Sequence, residues 1–165
     1  MPRAAVLTIS DSRSAGENPD LSGPAAVTRL SGAGFEIAGT EIIPDTLGLI
    51  ESTLRGLVGQ VDVIVTTGGT GIAERDVTPE AAAAVIERPL PGFGEIMRTG
   101  TFSRTPLSIL SRGGAGVAGR TLIVWLPGSP RGVAECLDLL MPAIRHAVSV
   151  MSKTSTHETE PPDLA

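Results

Sequence analysis

Short apolar runs rich in β-branched residues alternate along this chain with segments of helical periodicity, and this alternation most constrains the fold. The runs over residues 4–10, 35–44 and 61–67 predict buried strands. Between them, residues 25–34 and a segment starting at Asp45 place apolar side chains at helical spacing. Strand, helix, strand, helix, strand predicts a doubly wound α/β domain with a mostly parallel sheet.

The second half of the chain continues the alternation. Thr78 is expected to cap a helix and Pro79 to occupy its first position. Periodicity and apolar runs predict four further elements: a short helix over residues 92–100, strands over 106–110 and 121–126, and a last helix over 131–150.

Length and composition favour one aliphatic core. The 165 residues are enough for one domain, which we expect to span residues 1–150, followed by a polar, disordered tail over 151–165. Tyrosine is absent and aromatic residues make up only 2%, so the core must consist mainly of Ala, Val, Ile and Leu. Such side chains suit a sheet that is covered on both faces.

Charge and cysteine content exclude several classes of protein. The net charge is −5 and no basic stripe is visible, so we do not expect a nucleic-acid partner. The one cysteine, Cys136, excludes an internal disulfide and a cysteine-cluster metal site, and we expect it in the core. The N-terminus does not resemble a signal peptide and no run approaches a membrane span, which favours the cytoplasm and no membrane partner.

The stretch TTGGTG, residues 66–71, follows the third predicted strand. Gly68, Gly69 and Gly71 allow several backbone amides to approach one anion, and Thr70 adds a hydroxyl donor. The stretch matches neither the Walker A pattern nor G-x-G-x-x-G. On the glycines alone, a tight turn without a ligand is an equally good interpretation.

Acidic residues near predicted strand ends favour a ligand. Asp76 and Glu80 follow the glycine stretch, although the helix dipole alone would explain Glu80. Asp45 follows Pro44 at the end of another strand. If both strands are parallel, Asp45 and Asp76 lie at the same edge of the sheet. Two carboxylates beside a phosphate-sized loop suggest a hydrated Mg²⁺ that also binds substrate phosphates.

Two more loops belong to the same predicted edge. Ser10 and Asp11 end the first strand, and Pro127, Gly128 and Ser129 follow the last one. Because ligands of open α/β sheets bind at the carboxyl ends of the strands, the four loops predict a site for a polar, anionic ligand.

Covalent catalysis is not expected at this site. His146 lies on the last helix and His157 in the tail, where both are expected at the surface. Without a nucleophile and base set, positioning and metal electrostatics, as in phosphoryl or nucleotidyl transfer, suit the loops better.

The chain resembles the molybdenum cofactor biosynthesis family of MogA/MoaB type over residues 4–148. The resemblance rests on motifs in family order: TISDSRSAGENPDLSGPAA, IIPDT, TTGGTGIAERDVTPEA, LPGFGEIMR, ILSRGGAGVAGRTLIV and LPGSPRGVAEC. It implies a three-layer α/β sandwich around a mostly parallel sheet. It also implies molybdopterin adenylyltransferase activity, in which AMP passes from Mg-ATP to molybdopterin and pyrophosphate is released.

The resemblance also implies roles for individual residues. Asp45 and Asp76 correspond to the family's important acids and would bind Mg²⁺ and orient the ATP phosphates, with Glu80 beside them. The Gly68, Gly69, Thr70 and Gly71 loop would hold the nucleotide phosphates. The pterin side would be formed by Ser10, Asp11, Ser111, Arg112, Pro127, Gly128 and Ser129.

One position departs from the family pattern. Relatives often carry Asn in the strand before Pro-Gly-Ser-Pro, where this chain has Trp125. This indole either stacks on the pterin or packs at a subunit contact. The alternative function is a non-catalytic molybdopterin carrier or scaffold. A molybdate insertase ranks lower, because the additional domains of those proteins are missing here. The expected assembly is a homotrimer, with a hexamer as the alternative and the molybdate-insertion enzyme as a partner.

Overall fold

A computed structural model describes residues 1–153, and the alternation of strands and helices is present in it. The strands are β1 Arg3–Ile9, β2 Glu36–Ile43, β3 Val63–Thr67, β4 Arg88–Pro89, β5 Gly114–Ala118 and β6 Thr121–Leu126. The helices are α1 Asp11–Ser14, α2 Ser22–Gly32, α3 Leu47–Leu57, α4 Thr78–Val85, α5 Pro91–Thr101 and α6 Pro130–Lys153, with a 3-10 helix at Pro106–Leu110. Most of the predicted tail, residues 154–165, lies outside the described residues.

The strands of residues 1–153 form one mixed sheet in the order β2-β1-β3-β6-β5-β4. The four strands β2, β1, β3 and β6 are parallel to one another. The pairs β6/β5 and β5/β4 are antiparallel. The prediction of a mostly parallel sheet is therefore confirmed, with an antiparallel extension at one edge.

Each face of the sheet carries its own aliphatic core. In β3, Val63 and Val65 pack with residues of α2 and α6 such as Leu137. Ile64 points to the opposite face, where it packs in a cluster with Leu54 of α3. Side chains of a strand alternate between faces, so one apolar strand supplies both cores. The result is the expected three-layer arrangement of helices, sheet and helices.

Helix α6 runs to Lys153, three residues beyond the boundary at residue 150 that the sequence predicted. Its buried side chains include Val133, Leu137, Ile144 and Val148, which recur at helical spacing and hold one face of the helix on the sheet. Neither α6 nor any other helix in residues 1–153 has the length and apolar character needed to cross a membrane.

The strand predicted over residues 106–110 is wrong, because this segment forms a 3-10 helix. Pro106 occupies its first position, where a fixed φ favours a helical turn. Leu107 and Ile109 are 73% and 61% exposed, so the apolar run does not enter the core. The strand prediction assumed that the apolar residues of this run are buried, and that assumption is incorrect.

Strand β5 was not predicted, because its sequence GAGVA has few residues typical of strands. The strand pairs with β6 and is buried along its length. A Cβ atom at Gly114 would lie 2.8 Å from the ring of Trp125. Here glycine leaves room for the large indole of the neighbouring strand, and that need is not visible in local propensity.

Candidate functional site

The carboxyl ends of four parallel strands meet at one edge of the sheet. Ile9 of β1 pairs with Ile43 of β2. On the other side of β1, Thr8 pairs with Thr67, which in turn pairs with Leu126 of β6. The loops that follow these strands are therefore neighbours, and the structure brings together the four loops that the sequence predicted to converge.

A small acidic cavity of about 170 Å³ lies among these loops; we call it the acidic lobe. Its lining includes Ser10, Asp11, Asp45, Gly68, Gly69, Asp76 and Gly128, all predicted site residues, together with Arg13 and Arg75. Asp11 and Asp45 are joined reciprocally. The Asp11 amide donates to Asp45 Oδ2 at 3.0 Å, and the Asp45 amide donates to Asp11 Oδ1 at 2.8 Å. These bonds hold the ends of β1 and β2 together.

Negative charge accumulates in the acidic lobe. Burial raises the pKa of Asp45, and the charges of Asp11 and Asp76 raise it further, against the lowering effects of the Asp11 amide and Arg75. The second carboxylate, Asp76, accepts through Oδ2 from the Ala73 amide at 3.0 Å. A cation bound between the carboxylates would relieve their repulsion.

Replacing Asp45 with Asn is expected to raise the thermal stability at pH 7. Because the folded-state pKa is raised, folding is disfavoured as pH rises through the window between the ordinary Asp value and the raised one. Asn removes the charge and keeps an oxygen that can accept from Asp11. The gain in melting temperature should shrink as the pH approaches about 4, where the unfolded chain also becomes protonated.

Circular dichroism melts between pH 4 and 8 test this, with Asp138→Asn as the control. Asp138 is an exposed carboxylate paired with Arg29 at 2.7 Å, away from the acidic lobe, so its loss should bring no gain. Equal melting temperatures for Asp45→Asn and the parent chain at every pH would contradict the electrostatic account.

The glycine loop after β3 can bind an anion. Gly68 has φ of +93°, a conformation that favours glycine. A Cβ atom there would lie 2.3 Å from the carbonyl oxygen of Ile9. Within the described chain, the amides of Gly69, Thr70 and Gly71 have no hydrogen-bond partner. Three neighbouring unpaired amides are suited to phosphate oxygens.

The start of helix α4 is anchored to this loop. Thr78 is the first helical residue and Val77 the cap, so the predicted capping role of Thr78 is wrong by one position. The Thr78 hydroxyl instead donates to the Gly68 carbonyl at 3.0 Å, and its amide donates to the Gly69 carbonyl at 3.1 Å. The hydroxyl therefore donates to the loop and does not accept from an amide of the first helical turn.

A larger cavity of about 580 Å³, which we call the apolar lobe, adjoins the acidic one. Of the predicted site residues, it is lined by Gly69, Thr70, Gly71, Asp76, Ser111, Pro127, Gly128 and Ser129. The two lobes share Gly69, Asp76 and Gly128. A ligand in one lobe can therefore contact a ligand in the other.

Sequence reasoning missed about half of the apolar lobe. Most of the missed residues come from α5, the 3-10 helix and the start of α6. They include Met97, Leu107, Leu110, Arg131, Glu135 and Cys136. Arg131 and Glu135 form an ion pair at 3.0 Å one helical turn apart, which the sequence spacing could have indicated. Cys136 is buried, as predicted, and its pKa is raised by burial to about 11.

Two predicted site residues do not line either lobe. Glu80 and Arg112 form an ion pair with each other, and the hydrogen bond from Arg112 lowers the pKa of Glu80. Trp125 is only 8% exposed and its indole Nε1 donates to the Arg112 carbonyl at 3.0 Å. The structure thus buries this indole within the chain itself.

The carboxylates of the acidic lobe fit a metal that is shared with a substrate. Among residues 1–153, no group of three or more His, Cys, Asp and Glu side chains could hold a metal by itself. Asp45 and Asp76 line one cavity, and Mg²⁺ commonly binds one or two carboxylates together with substrate phosphates and water. The donor set therefore suits Mg²⁺ that arrives with a phosphorylated ligand.

Comparison with known proteins gives consistent matches. The profile of a family described as "Probable molybdopterin binding domain" matches residues 5–146. A molybdopterin adenylyltransferase from Helicobacter pylori strain J99 is 43% identical over 153 residues, covering 88% of this chain and 85% of that protein. The protein of the same name from Escherichia coli K12 is 42% identical over 141 residues, covering 82% and 72%.

Solved structures agree with the sequence matches. The molybdopterin biosynthesis enzyme MoaB from Thermus thermophilus superposes with a TM-score of 0.86 at 44% identity, covering 92% of this chain and 97% of that one. A structure of MogA gives 0.86 at 38% identity, covering 90% and 99%.

Proposed function

We propose a function from the premise that the chain belongs to this family of molybdopterin-binding domains. The proposed function is that of a molybdopterin adenylyltransferase in molybdenum cofactor biosynthesis. In this reaction AMP passes from ATP to the phosphate of molybdopterin, and pyrophosphate is released. The observation that carries the proposal is the meeting of a small acidic lobe and a large apolar lobe across Gly69, Asp76 and Gly128.

The acidic lobe and the glycine loop suit the triphosphate of ATP. The unpaired amides of Gly69, Thr70 and Gly71 would donate to phosphate oxygens. Asp45 and Asp76 would hold Mg²⁺, which when bound neutralises charge on the phosphates. The reciprocal bonds between Asp11 and Asp45 keep one of these carboxylates in a fixed position.

The apolar lobe suits the pterin. Met97, Leu107 and Leu110 give it an apolar surface, and Ser111 and Ser129 add hydroxyl groups. A flat heterocycle with polar edges is bound well by such a mixture. The phosphate of a pterin placed there would face the shared residues.

The transfer is direct in this proposal. An oxygen of the molybdopterin phosphate attacks the α-phosphorus of ATP, and the bond from that phosphorus to the bridging oxygen breaks as pyrophosphate leaves. Cys136 is the one thiol of the apolar lobe, and its raised pKa of about 11 keeps it protonated at neutral pH. Positioning and electrostatics then supply the catalysis, without a covalent enzyme intermediate.

The proposal extends to assembly and location. A homotrimer, with a hexamer as the alternative, would cover some of the exposed apolar side chains outside the two lobes, such as Leu47, Leu49 and Phe102. A cytoplasmic location suits a chain whose one cysteine is unpaired. The adenylylated product needs an acceptor, for which the molybdate-insertion enzyme is the proposed partner.

The test is to incubate the purified chain with molybdopterin and ATP, with and without Mg²⁺. We expect pyrophosphate and adenylylated molybdopterin in equal amounts, and neither product after chelation of Mg²⁺. Binding of molybdopterin without either product would overturn the proposed activity and favour a carrier or scaffold.

A further inference from the structure

Arg112 forms hydrogen bonds with backbone carbonyls of the glycine loop and the residues that follow it. Its amide donates to the Thr70 carbonyl at 2.8 Å, and its Nε donates to the Gly71 carbonyl at 2.8 Å. Its Nη2 donates to the carbonyl of Asp76 at 2.5 Å. One residue thus holds three carbonyls of the segment that carries the unpaired amides and the Asp76 carboxylate.

Arg112 is itself held from two other elements. Its Nη1 donates to Glu80 of α4, and its carbonyl accepts from Trp125 Nε1 of β6 at 3.0 Å. The guanidinium presents its donors in a rigid, planar fork, so partners on several sides fix its orientation. We call this set, Arg112 with Glu80 and Trp125, the loop clamp.

The loop clamp directs the amides of the loop. In a trans peptide the carbonyl and the following N–H point in opposite directions. Holding the carbonyls of Thr70 and Gly71 on the side of Arg112 therefore turns the amides of Gly71 and Ile72 to the other side. Gly71 lines the apolar lobe and not the cavity that Arg112 lines with Trp125, whereas Ile72 lines both cavities.

The charge of the ion pair is not what makes the clamp important. The side chains of Arg112 and Glu80 are 37% and 50% exposed, and an ion pair this exposed contributes little to stability. A direct contact of Arg112 with a ligand in the lobes is also disfavoured, because Arg112 lines neither lobe and each of its three guanidinium nitrogens donates to a protein acceptor. The role that remains for Arg112 is to hold the backbone of the glycine loop in one orientation.

We propose that Arg112 is a positioning residue for nucleotidyl transfer, which fixes the glycine loop and the Asp76 carboxylate relative to Asp45. This inference rests on the proposed function. It replaces the sequence-based expectation that Arg112 binds the pterin. Trp125 then serves the reaction at a distance, by holding the carbonyl of Arg112 rather than by stacking on a ligand.

The experiment compares Arg112→Met and Arg112→Lys with the parent chain. We expect kcat to fall about 100-fold in Arg112→Met, since a misplacement of about 1 Å can have that effect, and about 10-fold in Arg112→Lys, which keeps one point-like donor. The Mg²⁺ concentration for half-maximal rate should rise severalfold, while KM for molybdopterin stays within about twofold. A merely smaller folded fraction would lower the rate without shifting the Mg²⁺ dependence.

Arg55→Met is the matched control. Arg55 also pairs with a glutamate, Glu51, at 2.8 Å and donates to a backbone carbonyl, that of Ala84, at 2.6 Å, but it lines neither lobe. Its loss should leave kcat and the Mg²⁺ dependence unchanged. Trp125→Phe removes one donor to Arg112 and should give a small change in the same direction as Arg112→Lys.

Hydrogen exchange gives a readout that does not need activity, at the amides of Ala73 and Asp76, which are hydrogen-bonded within the segment of residues 70–77. In Arg112→Met, the amides of this segment should exchange faster than in the parent chain, while exchange in β1 should be unchanged. In Arg55→Met, exchange in this segment should equal that of the parent chain. Parent-like kinetics and parent-like exchange in Arg112→Lys and Arg112→Met would overturn the clamp. If the parent chain forms no product, the proposed function fails, but the clamp is still tested. Faster exchange in Arg112→Met then supports the clamp, and unchanged exchange overturns it. If Arg112→Met does not fold, Arg112→Lys and Trp125→Phe decide.

Discussion

Replacing Asp76 with Asn is expected to remove nearly all adenylyl transfer while leaving the fold intact. Asn keeps an oxygen that can accept from the Ala73 amide, so the loop retains its internal bond. It removes one of the two proposed Mg²⁺ ligands and its charge. Losing a preorganised charge at the reacting phosphate typically lowers kcat by about 100- to 1000-fold. Release of pyrophosphate is the measurement.

Binding separates this prediction from general damage. Asp76 is shared by both lobes, but Asn keeps the size of its side chain, so the dissociation constant of molybdopterin for Asp76→Asn should stay within about threefold of the parent value, a difference below 1 kcal/mol. Asp138→Asn is the matched control, because it removes a carboxylate from the surface of α6. Parent-like turnover by Asp76→Asn would exclude the metal-binding role.

Replacing Gly68 with Ala is expected to have the largest effect on stability. The residue has φ of +93°, and the new Cβ would lie 2.3 Å from a backbone oxygen of β1 that belongs to the sheet. Positive φ costs about 1–2 kcal/mol for an L-residue, and overpacking adds about 1–3 kcal/mol. We expect the free energy of unfolding to fall by roughly 2–5 kcal/mol in urea titrations at fixed protein concentration.

Gly56→Ala is the counterpart that should act in the opposite direction. Gly56 is exposed in α3, without positive φ, and an added Cβ would meet no atom within 4 Å. Alanine in a helix is favoured over glycine by about 0.5–1 kcal/mol, so the free energy of unfolding should rise by about that amount. A Gly68→Ala protein as stable as Gly56→Ala would contradict the steric account.

The strands that carry the acidic lobe were predictable because their local sequence pattern is typical of buried strands. Runs such as residues 61–67 are apolar and β-branched, and parallel pairing then brings their carboxyl ends together. Strand β5 and the 3-10 helix were not predictable in this way. Gly114 is required by the ring of Trp125, and the apolar residues of Pro106–Leu110 are exposed, so only the tertiary contacts decide their structure.

The apolar lobe and the loop clamp depended on the same kind of information. Met97 and Cys136 come from different helices and meet only after those helices have packed. The role of Arg112 follows from carbonyls 36 to 42 residues earlier in the chain, at positions 70–76. Motifs indicated that these residues matter, but their geometric roles required the packed structure.

The sharing of Gly69, Asp76 and Gly128 by both lobes has a consequence for inhibitor design. Two weak ligands, one anionic and one a flat heterocycle, would bind in neighbouring cavities that meet at these three residues. A short bridge between the two ligands would make the second binding event intramolecular, and effective concentrations in the millimolar range can raise avidity about 100-fold or more. Bridge length, rather than new contacts, would then determine the potency of such a two-headed compound.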